Sequence, residues 1–354
     1  MNRAAALLLG LALSLPWGAA HAETGLLVGL RADRPQGALY RTLYITADAQ
    51  AVRQAGEDRS SILMSTPSGL FSRAAVNRLE PDAAAGHHEI LTVGWAGTVK
   101  APALGGGDGN GLGTCGPVND GFTLLFVSPQ LLSVEQRSWS EDPHTCADEP
   151  FPIPAFLWHL PLGPPEPGTL VSLFSDEPPS SAFDSQPVNT LNKLFSSTAS
   201  DKLMSAWDST FAALPARTRS DLIERGMDVA QPYNWAMVRR SGRWALRARV
   251  DTHTFDVPVI LPRWLTGWDG LAVPWITIRA RVPGARDAFS SPNGTLLGVM
   301  TADTLNVYRL NAGRFGAPAL TVPLEAPESV VSLQWSSGQN VRSWAREVAR
   351  FSRP

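Results

Sequence analysis

Short runs of apolar and β-branched residues, each separated from the next by turn residues, fill the first half of the chain. The runs are four to six residues long, and clusters of Gly, Pro, Asp and Ser lie between them. The predicted strands are 26–30, 43–46, 61–64, 89–93, 122–127 and 170–174. Short strands broken by such turns are typical of an all-β fold. The 29 prolines favour the same class, because proline is poorly tolerated inside helices.

Two segments depart from this pattern and have the three- and four-residue apolar spacing of amphipathic helices. In the first, the apolar positions are Leu203, Met204, Trp207, Phe211 and Leu214. In the second, at the end of the chain, they are Val341, Trp344, Val348 and Phe351. The sequence therefore predicts a small helical insertion at 187–226 and a C-terminal helix at 340–352.

Residues 235–250 have the alternating pattern of a β-hairpin, with its turn at Ser241 and Gly242. Because successive side chains of a strand point to opposite faces, the second arm should carry two different surfaces. One is apolar and contains Trp244, Leu246, Ala248 and Val250. The other is basic and contains Arg243, Arg247 and Arg249.

Residues 289–310 have the order of a tight turn, a strand, a second turn and a second strand that ends on the aromatic Tyr308. The first turn is Ser291-Pro292-Asn293-Gly294. This order resembles one blade of a β-propeller, in which a Ser-Pro-Asp-Gly turn leads the strand. The resemblance implies an all-β propeller of about five to seven blades. Since the chain has no regular repeat of about 40–45 residues, two β-sandwich-like domains are the alternative.

The first 22 residues have the organisation of a bacterial signal peptide. Arg3 gives a positive start, residues 4–15 are apolar, and Ala20-His21-Ala22 supplies the small-residue cleavage pattern. The apolar run is too short to span a bilayer as a helix. We expect residues 1–22 to be removed on export, leaving 23–354 as a single mostly-β domain in the periplasm or outside the cell.

The charge balance excludes two classes of partner. The chain has 30 basic and 32 acidic side chains, a net charge of −2 at pH 7, and loss of Arg3 leaves 29 basic side chains and a charge of −3. A slightly acidic protein has no general attraction for nucleic acid or an anionic membrane. No segment after residue 22 has the length and apolarity of a transmembrane helix. The expected partner is an envelope protein or a small ligand such as a glycan.

The role predicted for the two cysteines, Cys115 and Cys146, depends on the compartment in which the protein is expected to work. In an oxidising environment a cysteine pair commonly forms a disulfide, whereas in the cytosol it more often has a metal or redox role. A disulfide closing a loop of about 30 residues stabilises a fold by roughly 3–4 kcal/mol on the chain-entropy argument. We predict that Cys115 and Cys146 are joined, with two separate buried thiols as the alternative.

The glycine-rich stretch 105–113 carries oxygen-bearing side chains at alternate positions. Asp108 and Asn110 are candidate calcium ligands, because calcium prefers carboxylate and amide oxygens. Leu112 lies where a third ligand is expected, which favours a plain loop instead. A phosphate-binding loop is excluded, since no helix with a Lys-Ser or Lys-Thr pair follows. Calcium is the one cofactor that the sequence suggests.

Histidines beside carboxylates are candidates for acid–base or metal chemistry. His88 precedes Glu89 at the start of a predicted strand, but no ligand-type spacing links it to a further histidine. Asp251 and His253 are expected on one strand face as an acid–base pair. No Gly-x-Ser-x-Gly nucleophile motif accompanies them. A surface strand end and ordinary hydrogen bonding are the alternatives.

Two sets of side chains are candidates for ligand binding. A carboxylate or phosphate could form bidentate hydrogen bonds with Arg243, Arg247 and Arg249. A sugar ring could stack on Trp264, Trp268 or Trp275. The alternative is that surface carboxylates neutralise the arginines and that the tryptophans fill the core.

Together these patterns favour an exported, non-enzymatic binding or scaffold protein of the bacterial cell envelope. Its binding surface is expected at one end of the central axis of a propeller. This inference comes from the fold class, and a fold does not by itself define a function. The alternative is an extracytoplasmic hydrolase or lyase with a central polar pocket, which requires His88, His253 and several carboxylates to converge.

Overall fold

The structure of the protein is a computed structural model. It describes residues 23–34, 37–66, 69–78, 89–95, 118–140, 156–161, 170–174, 187–224, 226, 228, 234–250, 252–325 and 327–352. Strands account for 47% of the structure and helices for 23%. The predicted all-β class is therefore confirmed, while the more specific prediction of a propeller stays a prediction at this point.

The strands of the described residues form five antiparallel sheets, which we name A to E. Sheet A has the order β18-β1-β2-β3 and contains β1 (Thr24–Ala32), β2 (Leu39–Ala47), β3 (Val52–Asp58) and β18 (Glu328–Ser337). Sheet B has the order β10-β6-β5-β4 and contains β4 (Ile62–Ser65), β5 (Phe71–Arg78), β6 (Glu89–Trp95) and β10 (Leu170–Phe174).

The other three sheets follow their order along the chain. Sheet C contains β7 (Val118–Val127), β8 (Leu131–Ser140) and β9 (Phe156–Pro161). Sheet D contains β11 (Trp235–Arg240), β12 (Arg243–Val250) and β13 (His253–Val257). Sheet E contains β14 (Asp287–Ser290), β15 (Leu296–Met300), β16 (Thr304–Arg309) and β17 (Leu320–Pro323). The segment that resembles a propeller blade thus forms three neighbouring strands of sheet E.

Helices lie where the sequence predicts them, and two short ones are additional. The predicted insertion contains α1 (Pro187–Leu194), α2 (Ala199–Ala213) and α3 (Ala216–Glu224). The short helices after sheet D are α4 (Arg263–Thr266) and α5 (Trp275–Arg281). The C-terminal helix is α6 (Gln339–Phe351).

The β11–β12 hairpin forms as the alternating pattern predicts. The apolar side chains of β12 are buried, and the residues between them are more exposed. Ser241 and Gly242 have φ angles of 50° and 89°, which are the positive values that a type I′ hairpin turn needs. A Cβ atom on Gly242 would also lie 2.6 Å from Leu271. Both the backbone conformation and the close packing therefore favour glycine at this position.

Side chains of one sheet satisfy backbone groups at the edge of the next. β4 is an edge strand of sheet B, and the Ser65 N–H donates to the Gln334 side chain of β18 over 2.8 Å. The Gln334 amide donates in return to the Ser65 carbonyl over 2.9 Å. β7 is an edge strand of sheet C, and the Phe122 N–H donates to the Glu89 carboxylate of β6 over 2.7 Å. These contacts join sheet A to B and sheet B to C. They also give hydrogen-bond partners to backbone groups of edge strands, which would cost free energy if they were buried without one.

Sheets C, D and E are joined by the same kind of contact. The Met237 N–H of β11 donates to the Ser133 hydroxyl of β8 over 3.0 Å. Arg239 of β11 pairs with Asp287 of β14 at 2.7 Å, and it donates to the Ala288 carbonyl over 2.6 Å. An edge strand of sheet D is thereby held to sheet C on one side and to sheet E on the other.

Sheet E in turn contacts sheet A. Arg309 of β16 donates to the Asp48 carbonyl just after β2 over 2.7 Å. Asn293, in the turn between β14 and β15, donates to the Thr24 hydroxyl of β1 over 3.0 Å. Moreover, β18 pairs with β1 along the full length of β1. The first and last described strands of the chain therefore belong to one sheet.

The C-terminal helix α6 packs against sheets A and B around Tyr44. The Tyr44 hydroxyl is buried, donates to the Val341 carbonyl over 2.9 Å, and lies 2.9 Å from the Ser336 hydroxyl, which must then be the donor. The Trp344 ring lies 6.1 Å from the Tyr44 ring and 5.7 Å from the Phe71 ring, measured between centroids. A polar contact at the centre of an aromatic cluster therefore fixes the helix.

Substitution Tyr44→Phe should change how the stability responds to alkaline pH. Burial raises the pKa of Tyr44 to about 12, whereas an unfolded tyrosine ionises near about pH 10. The folded state thus holds the proton more tightly, and the free energy of unfolding falls as the pH rises from about 10 toward 12. We expect the free energy of unfolding of the variant to be about 1–2 kcal/mol lower at neutral pH, because its hydrogen bonds are missing. As the pH rises, the variant should lose less of its free energy of unfolding than the wild type does. Urea unfolding at about pH 8 and pH 11 measures both effects, and equal alkaline losses in the two proteins would contradict the assignment.

Candidate functional site

Several residues predicted to be functional lie outside the described residues. They are the disulfide pair Cys115 and Cys146, the calcium candidates Asp108 and Asn110, and the acid–base candidates His88 and Asp251. The predicted signal peptide, residues 1–22, lies outside them as well. Each of these assignments stays a prediction.

His253, the described member of the predicted acid–base pair, is the first residue of β13 and has an exposed side chain. Its Nδ1 atom lies 3.5 Å from the Thr252 hydroxyl. No carboxylate of the described residues forms an ion pair with it. The surroundings of His253 are those of an exposed strand end.

The predicted basic face of β12 is present, but two of its three arginines are paired. Arg247 donates to the Asp256 carboxylate of β13 over 3.1 and 3.2 Å. Arg249 forms an ion pair with Glu135 of β8. Arg243 is exposed and forms no ion pair or hydrogen bond with any described residue. Within the described part of the chain, Arg243 is therefore the member of this face that remains open to a ligand.

A cavity of about 360 Å³ lies where several sheets and α4 meet, and we name it the aromatic cavity. Its wall is formed by β4, the β7–β8 turn, α4 with the residues that follow it, the β14–β15 turn and β18. The aromatic lining residues are Phe126, Trp264, Trp268, Trp335 and Trp344. The volume falls in the range of about 300–1,000 Å³ that is usual for small-molecule sites.

The lining of the aromatic cavity is uncharged. None of the described residues around it is Asp, Glu, Lys, Arg or His. Trp264 keeps 53% of its surface exposed, so one face of an indole is available to a ligand. Gln130 also lines the cavity, and its side-chain amide has no hydrogen-bond partner among the described residues. An aromatic face and a free amide are the groups that bind a neutral, ring-shaped and hydroxylated molecule.

The other polar side chains of the aromatic cavity hold the protein itself together. The Ser128 hydroxyl accepts hydrogen bonds from the backbone N–H groups of Gln130 and Leu131 and so closes the β7–β8 turn. The Gln334 amide is occupied by Ser65 of β4, as described above. These bonds fix the wall on two sides, so that the cavity is preformed.

Two indole N–H groups of the lining tryptophans are buried without an acceptor. They belong to Trp268 and Trp335, and no described residue accepts from either. A buried donor without a partner costs about 1–3 kcal/mol. This wall of the cavity therefore carries donors that the described residues do not satisfy.

A second cavity, of about 330 Å³, adjoins the first, because Thr266, Gly267 and Trp268 line both. Arg243 and Arg263 line it as well, and we name it the arginine cavity. The Arg263 guanidinium lies over the Trp268 ring, 5.7 Å from its centroid. Trp268 thus separates an uncharged cavity from one that has two arginines.

Asp269 is the acidic residue of the arginine cavity, and its carboxylate is bound from the protein side. One oxygen pairs with Arg239 at 2.8 Å, and the other accepts from the Trp244 N–H over 2.7 Å. Burial raises the pKa of Asp269, and the neighbouring Arg239 acts in the opposite direction. Within the described residues, the ion pair of Asp269 is with Arg239, and Asp269 forms none with Arg243 or Arg263.

Sequence reasoning selected part of this site and missed the rest. It named Trp264, Trp268 and Arg243, which line one or both cavities. Trp275 lines neither of these two cavities but a third one of about 420 Å³, which shares Arg243 and Asp269 with the arginine cavity. Arg263 and Trp335 were not selected. Arg263 directly precedes Trp264, so a basic residue beside a candidate stacking residue was a signal that could have been used.

Within the described part of the chain, no group of three or more His, Cys, Asp or Glu side chains is placed to hold a metal ion. None of its helices is both long enough and apolar enough to cross a membrane. Comparison of the chain with protein-family models, with curated proteins and with solved structures found no match. A function for the protein is therefore inferred from its cavities.

Proposed function

We propose that the protein is an exported, non-enzymatic binding protein of the bacterial cell envelope that holds a neutral sugar ring in the aromatic cavity. The observation that carries this proposal is the uncharged, tryptophan-lined wall of that cavity. Export is supported by the signal-peptide pattern of residues 1–22. The ligand class is supported by the exposed face of Trp264 and the free amide of Gln130.

Binding is favoured over hydrolysis at this site for a chemical reason. A hydrolase or lyase needs a general acid, a general base or a nucleophile within hydrogen-bond reach of the reacting atom. The described lining of the aromatic cavity has no titratable acid or base. His253, which the enzymatic alternative requires, is an exposed residue of sheet D that does not line the cavity.

We further propose that the five sheets are the blades of a five-bladed β-propeller. Supporting this, the side-chain contacts run from sheet A to B, C, D and E and then back to A. Supporting it as well, β18 completes the sheet that β1 begins, so that both chain ends contribute to one sheet. Propeller blades are four-stranded antiparallel sheets, and sheets A, B and E have four strands in the described residues. On this arrangement the aromatic cavity lies at one end of the central axis.

Substitution Trp264→Ala should weaken sugar binding by about tenfold, because it removes the exposed stacking face. Binding of glucose, N-acetylglucosamine and their β-1,4-linked disaccharides to the purified mature protein would be measured by calorimetry. Ile223→Ala is the matched control, since Ile223 of α3 is also 53% exposed and does not line the cavity. The proposal fails if no sugar, neutral or acidic, binds, or if Trp264→Ala binds sugars as the wild type does.

A further inference from the structure

The two arginines of the arginine cavity are placed to bind an anion that the protein itself does not provide. Neither Arg243 nor Arg263 forms an ion pair within the described part of the chain. Their neighbours in the same region are different: Arg239, Arg240 and Arg247 each pair with an aspartate. Arg243 and Arg263 thus lie on one cavity wall as unpaired arginines, beside paired arginines of β11 and β12.

The only carboxylate that lines the described wall of the arginine cavity does not cancel this charge. Asp269 accepts hydrogen bonds from Arg239 and from the Trp244 backbone. Arg239 also pairs with Asp287, so that this buried group of three has one positive and two negative charges. Adding Arg243 and Arg263 gives the region a net charge of +1. The potential beside these two exposed arginines is thus favourable for an anion.

The arginine cavity and the aromatic cavity share the wall made by Thr266, Gly267 and Trp268. The two cavities are therefore adjacent, and a single ligand that occupies both has to extend past Trp268. Arginine binds carboxylate and phosphate through paired N–H donors, and hydrogen bonds to charged groups are about twice as strong as those between neutral groups. The adjacency of the two cavities thus suits a ligand with both a ring and a charge.

We infer that the ligand is an acidic sugar, with its ring in the aromatic cavity and its carboxylate or phosphate between Arg243 and Arg263. This inference rests on the proposed function, because it adds a second recognition element to the same site. Many kinds of sugar ring can stack on tryptophan, whereas the arginines select the sugars that carry an anionic substituent. Arg243 and Arg263 are thereby the residues that determine specificity.

The test compares sugars that share one ring and differ in a single substituent. Glucose, glucuronate and glucose 6-phosphate differ only at carbon 6, and N-acetylglucosamine and N-acetylmuramic acid differ only by a lactyl ether. We expect an acidic member to bind the wild type about tenfold more tightly than its neutral counterpart, with a preference that weakens as salt is added. The acidic sugar that gains most affinity over its neutral counterpart identifies the preferred anionic group as a uronate, a phosphate or a lactyl carboxylate.

Variants at Arg243 and Arg263 test whether these arginines cause the preference for acidic sugars. Arg243→Gln should remove most of the acidic preference, measured as the ratio of the affinities for the acidic and the neutral sugar. Arg263→Gln should act in the same direction. Arg240→Gln is the matched control, because Arg240 is an exposed arginine of sheet D that pairs with Asp256 and lines neither cavity. All three side chains are exposed, so thermal unfolding should show unchanged midpoints.

The outcomes separate this inference from the proposed function. If neutral sugars bind in a Trp264-dependent manner and acidic ones bind no better, the proposed function stands and the inference is overturned. If Arg243→Gln retains the acidic preference, the inference is overturned as well. If no sugar of either kind binds, both are overturned together.

Discussion

Substitution Arg239→Met is expected to lower the free energy of unfolding by about 3–5 kcal/mol. The Arg239 side chain is only 3% exposed and pairs with Asp269 at 2.8 Å and with Asp287 at 2.7 Å. It also lies over the Trp244 ring, 5.2 Å from the centroid. Methionine fills much of the same volume, but it leaves two largely buried carboxylates without their cation. Urea unfolding of wild type and variant at pH 7 measures the loss.

Lowering the pH should restore part of the stability that the Arg239→Met variant loses. Burial already raises the pKa of Asp269, and Arg239 opposes that rise. Without Arg239 the folded-state pKa should move further above the unfolded value, so that the folded state binds protons more strongly. The stability of the variant should then increase as the pH is lowered from about 7 to 5, and the gap to the wild type should narrow.

The neighbouring arginine provides the control for this prediction. Arg240 pairs with Asp256 at 2.7 Å, a distance equal to that of the Arg239–Asp287 pair, but it is 59% exposed. Arg240→Met should therefore cost less than about 1 kcal/mol. Equal losses in the two variants would show that burial is not what makes the Arg239 pairs important.

Substitution Trp235→Ala is expected to have a similarly large effect, about 3–5 kcal/mol, for a different reason. Trp235 of β11 is fully buried, and its ring packs edge-on against Phe195, with 5.5 Å between the centroids. It belongs to the apolar cluster that also contains Leu191 and Leu203 of the helical insertion. Alanine would leave a large empty volume between sheet D and these helices, which the surroundings fill only in part.

The same substitution at an exposed tryptophan gives the comparison. Trp264→Ala removes an equal number of atoms, but from a side chain that is 53% exposed, and it should change stability by less than about 1 kcal/mol. Limited proteolysis offers a second readout, since cleavage within 187–226 should accelerate in Trp235→Ala and not in Trp264→Ala. A Trp235→Ala variant as stable as the wild type would contradict the packing described here.

Local patterns explain which parts of the fold could be predicted. The β11–β12 hairpin and helices α2 and α6 follow from alternation, from helical spacing and from the Ser241-Gly242 turn, all of which lie within a few neighbouring residues. Helix α4 was missed because four residues are too few to show a periodicity. Its start directly after Pro262 is consistent with proline's fixed φ angle, but a single proline does not predict a helix.

The site could be predicted only residue by residue. Trp264 and Arg243 are noticeable as residue types, but nothing local indicates that α4 places Trp264 beside the same cavity as Trp335 of β18, or Arg263 beside the same cavity as Arg243. Nor does the sequence of β12 indicate that Arg247 and Arg249 are neutralised, because Asp256 and Glu135 belong to other strands, and Glu135 to another sheet. Contacts between distant segments decided which candidate side chains remain available.

The pairing of β18 with β1 has a consequence for how the molecule forms. During synthesis β1 emerges long before β18, yet Thr24 has its ladder partner in Ser337. Pairing across such a long separation is slow, because the entropy of closing the intervening loop must be lost before the contacts form. Until then β1 keeps one edge open, and an open edge invites aggregation or cleavage. The first of the described strands therefore depends on the last of them for the protection of its edge.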